Sequence, residues 1–379
     1  MKKIIVLGAG LVGAPMALDL AADSNFQVTV ADISNDALAR FRGNANIITI
    51  CSDLSKKENI AALVKDQDMV LSAVPGYLGF QTLQTIIEAG KNVIDIAFFA
   101  EDMFELDALA REKNVVAISD MGVAPGMSNV LIGYVDHLLD TTSRAVIYVG
   151  GLPQVRTLPY EYKAVFSPID VIEEYTRPAR FVSGGKLVTR PALSDAELMD
   201  FPQVGTLEAF NSDGLRSLAK TIKCPEMIEK TLRYPGHIDK MLLLRDTGLF
   251  DTTSVEINGQ SIRPIDLTCK LLFHIWKLKP GDADLTVMRI IVEGMKAGKR
   301  LRYTYDLLDK YDLKSGVHSM ARTTGYSATM AVRLVAESLY TNIGVSAPEF
   351  IGRESDCVDF MLEGLAQRGV IYEQNIERF

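Results

Sequence analysis

The stretch KKIIVLGAGLVGAPMALDLA, residues 2–21, runs from apolar strand letters through three glycines into a helical pattern. Residues 3–7 predict a short β-strand, and residues 14–22 predict a helix. In a G-x-G-x-x-G turn the first glycine makes the turn, the second lets the backbone approach a pyrophosphate, and the third lets helix and strand pack closely. The stretch therefore predicts a dinucleotide-binding turn. Its predicted cofactor contacts are Gly8, Gly10, Leu11, Val12 and Gly13.

A second predicted strand, in FQVTVADIS (residues 26–34), brings an acidic residue near the same turn. Asp32 lies 19 residues after Gly13, close to the spacing at which a carboxylate accepts hydrogen bonds from the adenosine ribose hydroxyls. A carboxylate there would repel a 2′-phosphate, and no arginine follows it immediately. The sequence therefore favours NAD over NADP, and Ile33 is counted with Asp32 among the cofactor contacts.

Strand and helix patterns continue to alternate up to about residue 122. Such repeats imply a parallel sheet with right-handed crossovers, and ligands bind at the carboxyl ends of its strands. We expect Tyr77, at one such end, to contact the substrate. Asp95 and Asp120, at two others, are the acidic candidates for catalysis, although each could instead cap a helix or form a turn. The further cofactor contacts predicted at these ends are Asp53, Leu54, Ala73, Val74, Pro75 and Gly76.

After this region the rhythm changes to antiparallel strands mixed with helices, and a strong helical pattern returns near residue 320. The fold class predicted is α/β: a doubly wound Rossmann sheet with a second, mixed α+β domain inserted before a C-terminal segment that returns to the first. The predicted domains are 1–121 for the dinucleotide, 122–319 for substrate and dimerisation, and 320–379 for helices and a strand packing back on the first domain.

The word KTLRYPGH (residues 230–237) places basic and aromatic side chains at a predicted strand-to-helix corner. Arg233 can bind a substrate carboxylate in a two-pronged pair, and Tyr234 lies beside it. His237 is the one histidine of four at such a turn, which makes it a catalytic candidate. A structural salt bridge for Arg233 and a helix-start cap for His237 are the alternatives.

Composition excludes several classes of partner. A net charge of −8 and the lack of a basic tract argue against nucleic acid. No apolar run approaches the roughly 20 residues of a membrane helix, and no leader-like block precedes the first strand, so we expect a cytoplasmic protein. The four cysteines are far apart, and no two histidines have metal-ligand spacing, so we predict free thiols and no metal.

Three sequence segments indicate a family more specifically: DMGVAPGMSNVL at residues 120–131, EEYTRPAR at 173–180 and KTLRYPGH at 230–237. Together, after the glycine-rich start, they resemble the saccharopine dehydrogenase family, and within it the lysine 6-dehydrogenases. The resemblance implies NAD(P)-linked chemistry at a carbon–nitrogen bond, and a homodimer or a dimer of dimers. By resemblance alone, Tyr175 and Arg177 are further candidates for the substrate pocket.

For the lysine 6-dehydrogenase branch, the resemblance implies NAD-dependent oxidative deamination of the ε-amino carbon of L-lysine. The saccharopine reductases of the family usually carry an arginine-bearing loop after the second strand, and the loop here, ADISNDALAR (residues 31–40), favours the NAD-linked branch. A saccharopine- or carboxynorspermidine-type reductase stays an alternative. So does a non-catalytic nucleotide-binding redox sensor, although Asp95, Arg233 and His237 favour an enzyme.

Overall fold

A computed structural model describes residues 1–279 and 281–379 and divides the chain into two compact units. The first unit comprises Met1–Leu138 and Ala321–Ile371, and the second comprises Leu139–Met320 and Tyr372–Phe379. The first crossing between units therefore lies near residue 138 rather than at the predicted residue 121, because a helix follows the last of the alternating strands before the chain leaves.

The first unit begins with alternating strands and helices. Its strands are β1 (Lys2–Leu7), β2 (Phe26–Asp32), β3 (Ile47–Cys51), β4 (Met69–Ser72), β5 (Asn92–Asp95) and β6 (Val116–Ile118). Its helices are α1 (Gly13–Ala21), α2 (Asn35–Ala39), α3 (Lys57–Val64), α4 (Gly76–Glu88), α5 (Asp107–Glu112) and α6 (Met127–Leu138), with a 3-10 turn at Met103–Leu106.

These strands form a parallel sheet in the order β6-β5-β4-β1-β2-β3. This is the Rossmann order, in which the chain reverses direction across the sheet between β1 and β4. Residues Ile4–Leu7 of β1 and the whole of β4 are buried, as expected for strands covered by helices on both faces. The order brings the carboxyl ends of β1 and β4 side by side at the point where ligands bind this fold.

The second unit contains a mixed sheet. Its strands are β7 (Thr141–Pro153), β8 (Ala179–Ser183), β9 (Lys186–Arg190), β10 (Glu197–Phe201), β11 (Gly205–Asn211), β12 (Glu226–Arg233), β13 (Val255–Ile257), β14 (Gln260–Ile262), β15 (Asp284–Lys296) and β16 (Lys299–Lys310). Its helices are α7 (Pro168–Thr176), α8 (Leu218–Thr221), α9 (His237–Asp246) and α10 (Pro264–Trp276). The main sheet has the order β10-β11-β12-β7-β15-β16, in which β12 and β7 are parallel and the other neighbours are antiparallel.

The C-terminal part of the chain returns to the first unit and then leaves it. Its elements are α11 (Ser319–Ala336), β17 (Gly344–Ser346), α12 (Pro348–Gly352), α13 (Ser355–Gln367) and β18 (Tyr372–Arg378). β17 pairs in parallel with β6 and extends the Rossmann sheet, so the predicted return is confirmed. The last strand does not follow the prediction, because β18 pairs antiparallel with β16 in the second unit.

Among the described residues, no helix is both long enough and apolar enough to cross a membrane. The same residues hold no group of three or more histidine, cysteine, aspartate or glutamate side chains suited to a metal ion.

Candidate functional site

The glycine-rich loop between β1 and α1 has the geometry of a dinucleotide turn. Gly8 adopts φ +104, a region that L-residues avoid, and a Cβ there would lie 2.6 Å from the carbonyl oxygen of Ala73. A Cβ on Gly13 would lie 2.1 Å from the carbonyl oxygen of Gly8, so the helix start packs directly on the turn. A Cβ on Gly10 would meet nothing within 4 Å, which leaves that side of the loop open for a phosphate.

Asp32, at the end of β2, is tied to this loop. Its Oδ2 accepts a hydrogen bond from the backbone N–H of Ala9 at 2.7 Å, and its Oδ1 accepts one from Ser34 N at 2.7 Å. Each carboxylate oxygen can accept more than one hydrogen bond, so ribose hydroxyls can still bind. Asp32 therefore shapes the loop in addition to the cofactor role predicted for it.

Arg40 changes the charge expected around Asp32. The residue ends the ADISNDALAR loop at the C-cap of α2, and its Nη1 lies 3.5 Å from the carbonyl oxygen of Gly10. The side chain is exposed. No arginine directly follows Asp32 in the sequence, but the short helix α2 turns the chain back, so the Arg40 cation lies beside the loop.

The remaining predicted cofactor contacts occupy the neighbouring strand ends. Leu11 and Ile33 are 40% and 66% exposed, which is unusual for apolar side chains and fits a surface that a cofactor ring would cover. Asp53 accepts hydrogen bonds from Ser55 N and Oγ, and these lower the pKa of its carboxyl. Leu54 and Val74 are buried, Ala73 follows β4 against Gly8, and Pro75 and Gly76 begin α4.

Asp95, the last residue of β5, is fully buried. Its Oδ2 accepts hydrogen bonds from Ala97 N at 3.2 Å and Ser119 Oγ at 3.3 Å, whereas its Oδ1 has no partner among the described residues. Ser72, its register partner on β4, has a buried hydroxyl that also lacks a partner there. Burial raises the pKa of Asp95 to about 7, and the carboxylate of Asp120 adds to the rise. The group can therefore take up or release a proton near neutral pH.

Asp120 lies in a tight loop after β6. Its φ of +59 is in the left-handed region, which a non-glycine residue adopts at a cost and often at functional sites. Gly122 N donates to the carbonyl oxygens of Asp120 and Pro125, both at 3.0 Å. Met121 N donates to the backbone oxygen of Asp95 at 3.0 Å, so the loop is tied to the end of β5. Asp95 and Asp120 thus come together as the strand-end positions predicted.

The second unit encloses Arg233 in a cluster of buried aromatic rings. The side chain is 2% exposed, and its guanidinium carbon lies 4.5 Å from the ring centre of Tyr162 and 5.7 Å from that of Tyr175. Its Nη2 contacts Glu174 Oε2 at 2.5 Å, and its Nε donates to Tyr175 Oη at 3.1 Å. The salt bridge named as the alternative for Arg233 is therefore present, so a ligand reaches the guanidinium only by replacing an internal contact.

His237 is also enclosed, at 1% exposure. Its Nδ1 lies 2.9 Å from the carbonyl oxygen of Tyr160 and its Nε2 lies 3.0 Å from Tyr175 Oη. Burial, with help from the Arg233 charge, lowers the pKa of His237 to about 3, so the ring is neutral. A carbonyl only accepts, so the proton is on Nδ1 and Tyr175 donates to Nε2. His237 positions Tyr175 rather than capping a helix, and in this arrangement it has no open nitrogen for proton transfer.

Three other predicted substrate residues have contacts of their own or lie in the other unit. Tyr234 donates its hydroxyl to the carbonyl oxygen of Pro153 at 2.9 Å, and Arg156 stacks on its ring at 4.7 Å. Arg177 Nη2 contacts Glu173 Oε2 at 3.1 Å, one helical turn earlier. Tyr77 lies in the first unit at the start of α4 and is 79% exposed.

Several residues of the cluster escaped the sequence analysis. Glu174 was visible in EEYTRPAR, but nothing in the letters pairs it with Arg233, which lies 59 positions later. Tyr162, Phe210 and Trp276 look like ordinary core residues in the sequence. Tyr162 and Phe210 lie against the Arg233 guanidinium, and Trp276 packs on the rings of Tyr162 and Tyr175. These contacts form only in the packed tertiary structure.

Comparisons with known proteins agree with this fold and with the family resemblance of the sequence segments quoted above. Residues 4–118 match the family model of the saccharopine dehydrogenase NADP binding domain, and residues 122–370 match that of the saccharopine dehydrogenase C-terminal domain. The solved structure of apo saccharopine dehydrogenase (L-Glu forming) from Saccharomyces cerevisiae superposes with a TM-score of 0.81 over 100% of both chains at 18% identity. That likeness concerns the fold.

Curated relatives match over a smaller part of their length. The mitochondrial alpha-aminoadipic semialdehyde synthase of Mus musculus is 27% identical over 250 residues, which are 62% of this chain and 27% of that protein. The saccharopine dehydrogenase (NADP+, L-glutamate-forming) of Saccharomyces cerevisiae is 25% identical over 282 residues, 69% of this chain and 61% of that enzyme. The chain spans less than two thirds of either relative. With both domain models matched in order, the chain belongs to the saccharopine dehydrogenase family.

Proposed function

We propose that this chain is an NAD-linked oxidoreductase that deaminates the ε-amino carbon of L-lysine. Water adds to the iminium that hydride transfer leaves, which gives 2-aminoadipate 6-semialdehyde, ammonia and NADH. The semialdehyde then loses water as it cyclises to piperideine-6-carboxylate. The observation that carries the proposal is the β1–α1 loop, in which Gly13 packs on Gly8 and Asp32 lies at the end of β2. Membership of the saccharopine dehydrogenase family supports chemistry at a carbon–nitrogen bond.

The residues present fit a nicotinamide dinucleotide. The open backbone at Gly10 would face the pyrophosphate, with the start of α1 behind it, and Asp32 would accept hydrogen bonds from the ribose hydroxyls. When bound, the dinucleotide supplies the hydride acceptor. The protein supplies position, charge and a place for the proton.

Asp95 and Asp120 are the residues of this chain that could accept the proton from the substrate amine. Only a neutral amine has the lone pair that stabilises the developing iminium, so a base must remove a proton before the hydride leaves. Asp95 has a pKa of about 7 and an oxygen without a hydrogen-bond partner among the described residues. We assign it the proton-accepting role, with Asp120 beside it. His237, with a pKa of about 3 and both nitrogens engaged, positions Tyr175.

The alternative is an NADP-linked reductase of the saccharopine or carboxynorspermidine type. Arg40 beside Gly10 favours it, because a guanidinium there could pair with a 2′-phosphate. The curated yeast relative is named as an NADP enzyme, which points the same way. A non-catalytic redox sensor is a third possibility, and it requires dinucleotide binding without turnover.

Initial rates at 340 nm separate these functions. Purified protein is assayed with NAD or NADP, each with L-lysine or saccharopine, and we expect NADH formation with L-lysine. Reduction of NADP with saccharopine would establish the reductase instead, and dinucleotide binding without turnover on any amine would establish the sensor. Asp95→Asn should lower kcat by at least about 100-fold. The matched control is Asp66→Asn, an exposed site of the same unit.

We also propose that the protein is a homodimer or a dimer of dimers, as the family resemblance implies. Light scattering on a size-exclusion column should give a multiple of the 41.7 kDa chain mass. A peak at the monomer mass at working concentration would contradict this assignment.

A further inference from the structure

The Arg233 cluster holds a cation whose anionic neighbour comes from the chain itself. The contact between Arg233 Nη2 and Glu174 Oε2 uses one carboxylate oxygen. A carboxylate that binds arginine in the two-pronged manner uses two oxygens in parallel, which is the stronger arrangement. Glu174 therefore pairs with Arg233 through one oxygen, and a carboxylate that used both oxygens would bind the guanidinium more strongly.

The two partners differ in their access to solvent. The Arg233 side chain is 2% exposed, whereas the Glu174 side chain is 20% exposed. The other contacts of the guanidinium are to neutral groups, namely Tyr175 Oη at 3.1 Å and the carbonyl oxygen of Leu232 at 3.0 Å. These contacts fix the guanidinium without Glu174, so Glu174 is the partner that can swing away.

Two unsatisfied polar groups lie in the same cluster. Tyr162 Oη and Trp276 Nε1 are buried, and neither has a hydrogen-bond partner among the described residues. Their rings are 5.4 Å apart, and the Arg233 guanidinium stacks on the Tyr162 ring. Buried tyrosine and tryptophan polar groups normally have partners. An indole N–H can only donate, so the group it lacks is an acceptor, such as a carboxylate oxygen.

We propose that Glu174 is an internal occupant of a carboxylate-binding site at Arg233, and that the α-carboxylate of the amino-acid substrate displaces it. The inference rests on the proposed function for the identity of the substrate. Glu174 then sets affinity and specificity: it keeps the buried cation neutralised before substrate binds, and it excludes amines that carry no carboxylate, because they cannot compete for the arginine.

Trp276 gives a direct measurement, since it is the single tryptophan of the chain. The probe is L-norleucine, which keeps the α-carboxylate of lysine but lacks the ε-amino group, so it binds without being oxidised there. Binding is followed by tryptophan fluorescence in the full-length protein. Pentylamine, which corresponds to norleucine without its carboxylate, is the ligand control.

Glu174→Gln removes the competing charge, and we expect it to lower the Kd for L-norleucine about tenfold. Glu173→Gln is the matched control, because Glu173 is next to Glu174 in the chain, but its carboxylate is 45% exposed and pairs with Arg177. That variant should bind within twofold of the wild type. Pentylamine should leave the fluorescence of all three proteins unchanged.

Equal or weaker norleucine binding by Glu174→Gln overturns the proposal, as does an equal response to pentylamine. If Glu174→Gln does not fold, Glu174→Asp takes its place. Its shorter side chain holds Arg233 less closely, so it must also bind norleucine more tightly than the wild type, and failure to do so overturns the proposal. The proposed function is tested separately: lack of NADH formation from L-lysine would refute it without changing the norleucine result.

Discussion

At the scale of single residues, each unit contains a buried ionisable group with a shifted pKa: the pKa of Asp95 is raised and that of His237 is lowered. Asp95 has one oxygen with no hydrogen-bond partner in the described part of the chain and a pKa of about 7, so it can exchange a proton near neutral pH. His237 is fixed between Tyr160 and Tyr175 with a pKa of about 3, so it stays neutral at any physiological pH. Histidine is the residue type that usually titrates near neutrality, but here the Asp95 carboxyl titrates there and the His237 ring stays neutral.

Asp95 should make stability depend on pH. Its folded-state pKa of about 7 lies above the ordinary value of 3.8, so the folded protein keeps a proton that the unfolded chain releases between these values. The resulting stabilisation is full below about pH 4 and is lost as the pH rises through 7. Between pH 5 and pH 8, the free energy of unfolding of the wild type should fall by about 2 to 3 kcal/mol relative to Asp95→Asn.

Urea unfolding at the two pH values measures this difference. Asp66→Asn, at an exposed position, should track the wild type at both. A wild-type and Asp95→Asn difference that stays constant from pH 5 to pH 8 would show that Asp95 does not hold a proton in the folded protein.

We expect Asp32 and Arg40 to set the choice between NAD and NADP. Asp32 accepts a hydrogen bond from Ala9 N, and Arg40 approaches the carbonyl oxygen of Gly10. We expect the wild type to prefer NAD by at least about tenfold in kcat/KM, a difference of about 1.4 kcal/mol. Asp32→Ala should shrink this preference, mainly by weakening NAD. Arg40→Ala should widen it, because the mutation removes the cation available to a 2′-phosphate.

Steady-state kinetics with both dinucleotides for the three proteins tests the assignment. Since Asp32 also holds Ala9 N, Asp32→Asn serves as the control for the shape of the loop. A wild type that prefers NADP, or an Asp32→Ala protein that keeps its full discrimination, would remove Asp32 from the ribose site and favour the reductase.

At the scale of elements, periodic patterns predicted the Rossmann part and missed the pieces that lack a pattern. Strands β1 to β6 are apolar runs between turn residues, so the alternation of strands and helices is readable. β17 has three residues, Gly344–Ser346, which is too short for any periodicity. β18 reads as a strand, but its partner depends on which sheet edge is available, and that is a property of the tertiary structure.

The candidate site likewise contains features that could be predicted from the sequence and contacts that could not. The glycine spacing and the strand-end positions of Asp32, Asp95 and Asp120 follow from local rules about turns and parallel sheets. The pairing of Glu174 with Arg233, and the approach of Arg40 to Gly10, depend on where side chains point after packing. No spacing in a single sequence encodes these contacts.

Asp19 on α1 ties the returning helices to the Rossmann sheet. Its carboxylate accepts hydrogen bonds from Thr329 Oγ1 at 2.6 Å and Arg333 Nη1 at 2.8 Å on α11, and from Arg368 Nε at 2.6 Å after α13. Asp19→Ala should lower the free energy of unfolding by about 3 to 5 kcal/mol, because it removes the nearest carboxylate from Arg333 and Arg368, which are 7% and 20% exposed.

Guanidinium unfolding gives the measurement, and Asp23→Ala provides the control. Asp23 also approaches Arg333, at 3.6 Å, but it is 26% exposed, compared with 11% for Asp19. Its loss should cost less than about 1 kcal/mol. Similar losses for the two variants would mean that burial does not distinguish these ion pairs.

At the scale of the whole molecule, the chain crosses between its units near residues 138, 320 and 371. Each unit nevertheless has its own buried core, one around Leu7, Ile86 and Val93 and another around Trp276, Tyr175 and Phe210. Acidic residues outnumber basic ones by 48 to 40. The opening glycine loop is the feature that we propose to connect the fold to a small charged ligand.

Dinucleotide binding should be visible as a change in the stability of the whole protein. NAD at about 100 times its Kd should add about 2.7 kcal/mol to the free energy of unfolding and raise the melting temperature by about 3 °C. Gly10→Ala should melt like the wild type without ligand, because the added methyl meets nothing within 4 Å. With NAD it should lose most of the shift, since the methyl would face the pyrophosphate.

Gly13→Ala should melt lower even without ligand, because its methyl would lie 2.1 Å from Gly8 O. Differential scanning calorimetry of the three proteins, with and without NAD, separates a binding surface from a packing contact. A full NAD shift in Gly10→Ala would place the pyrophosphate elsewhere.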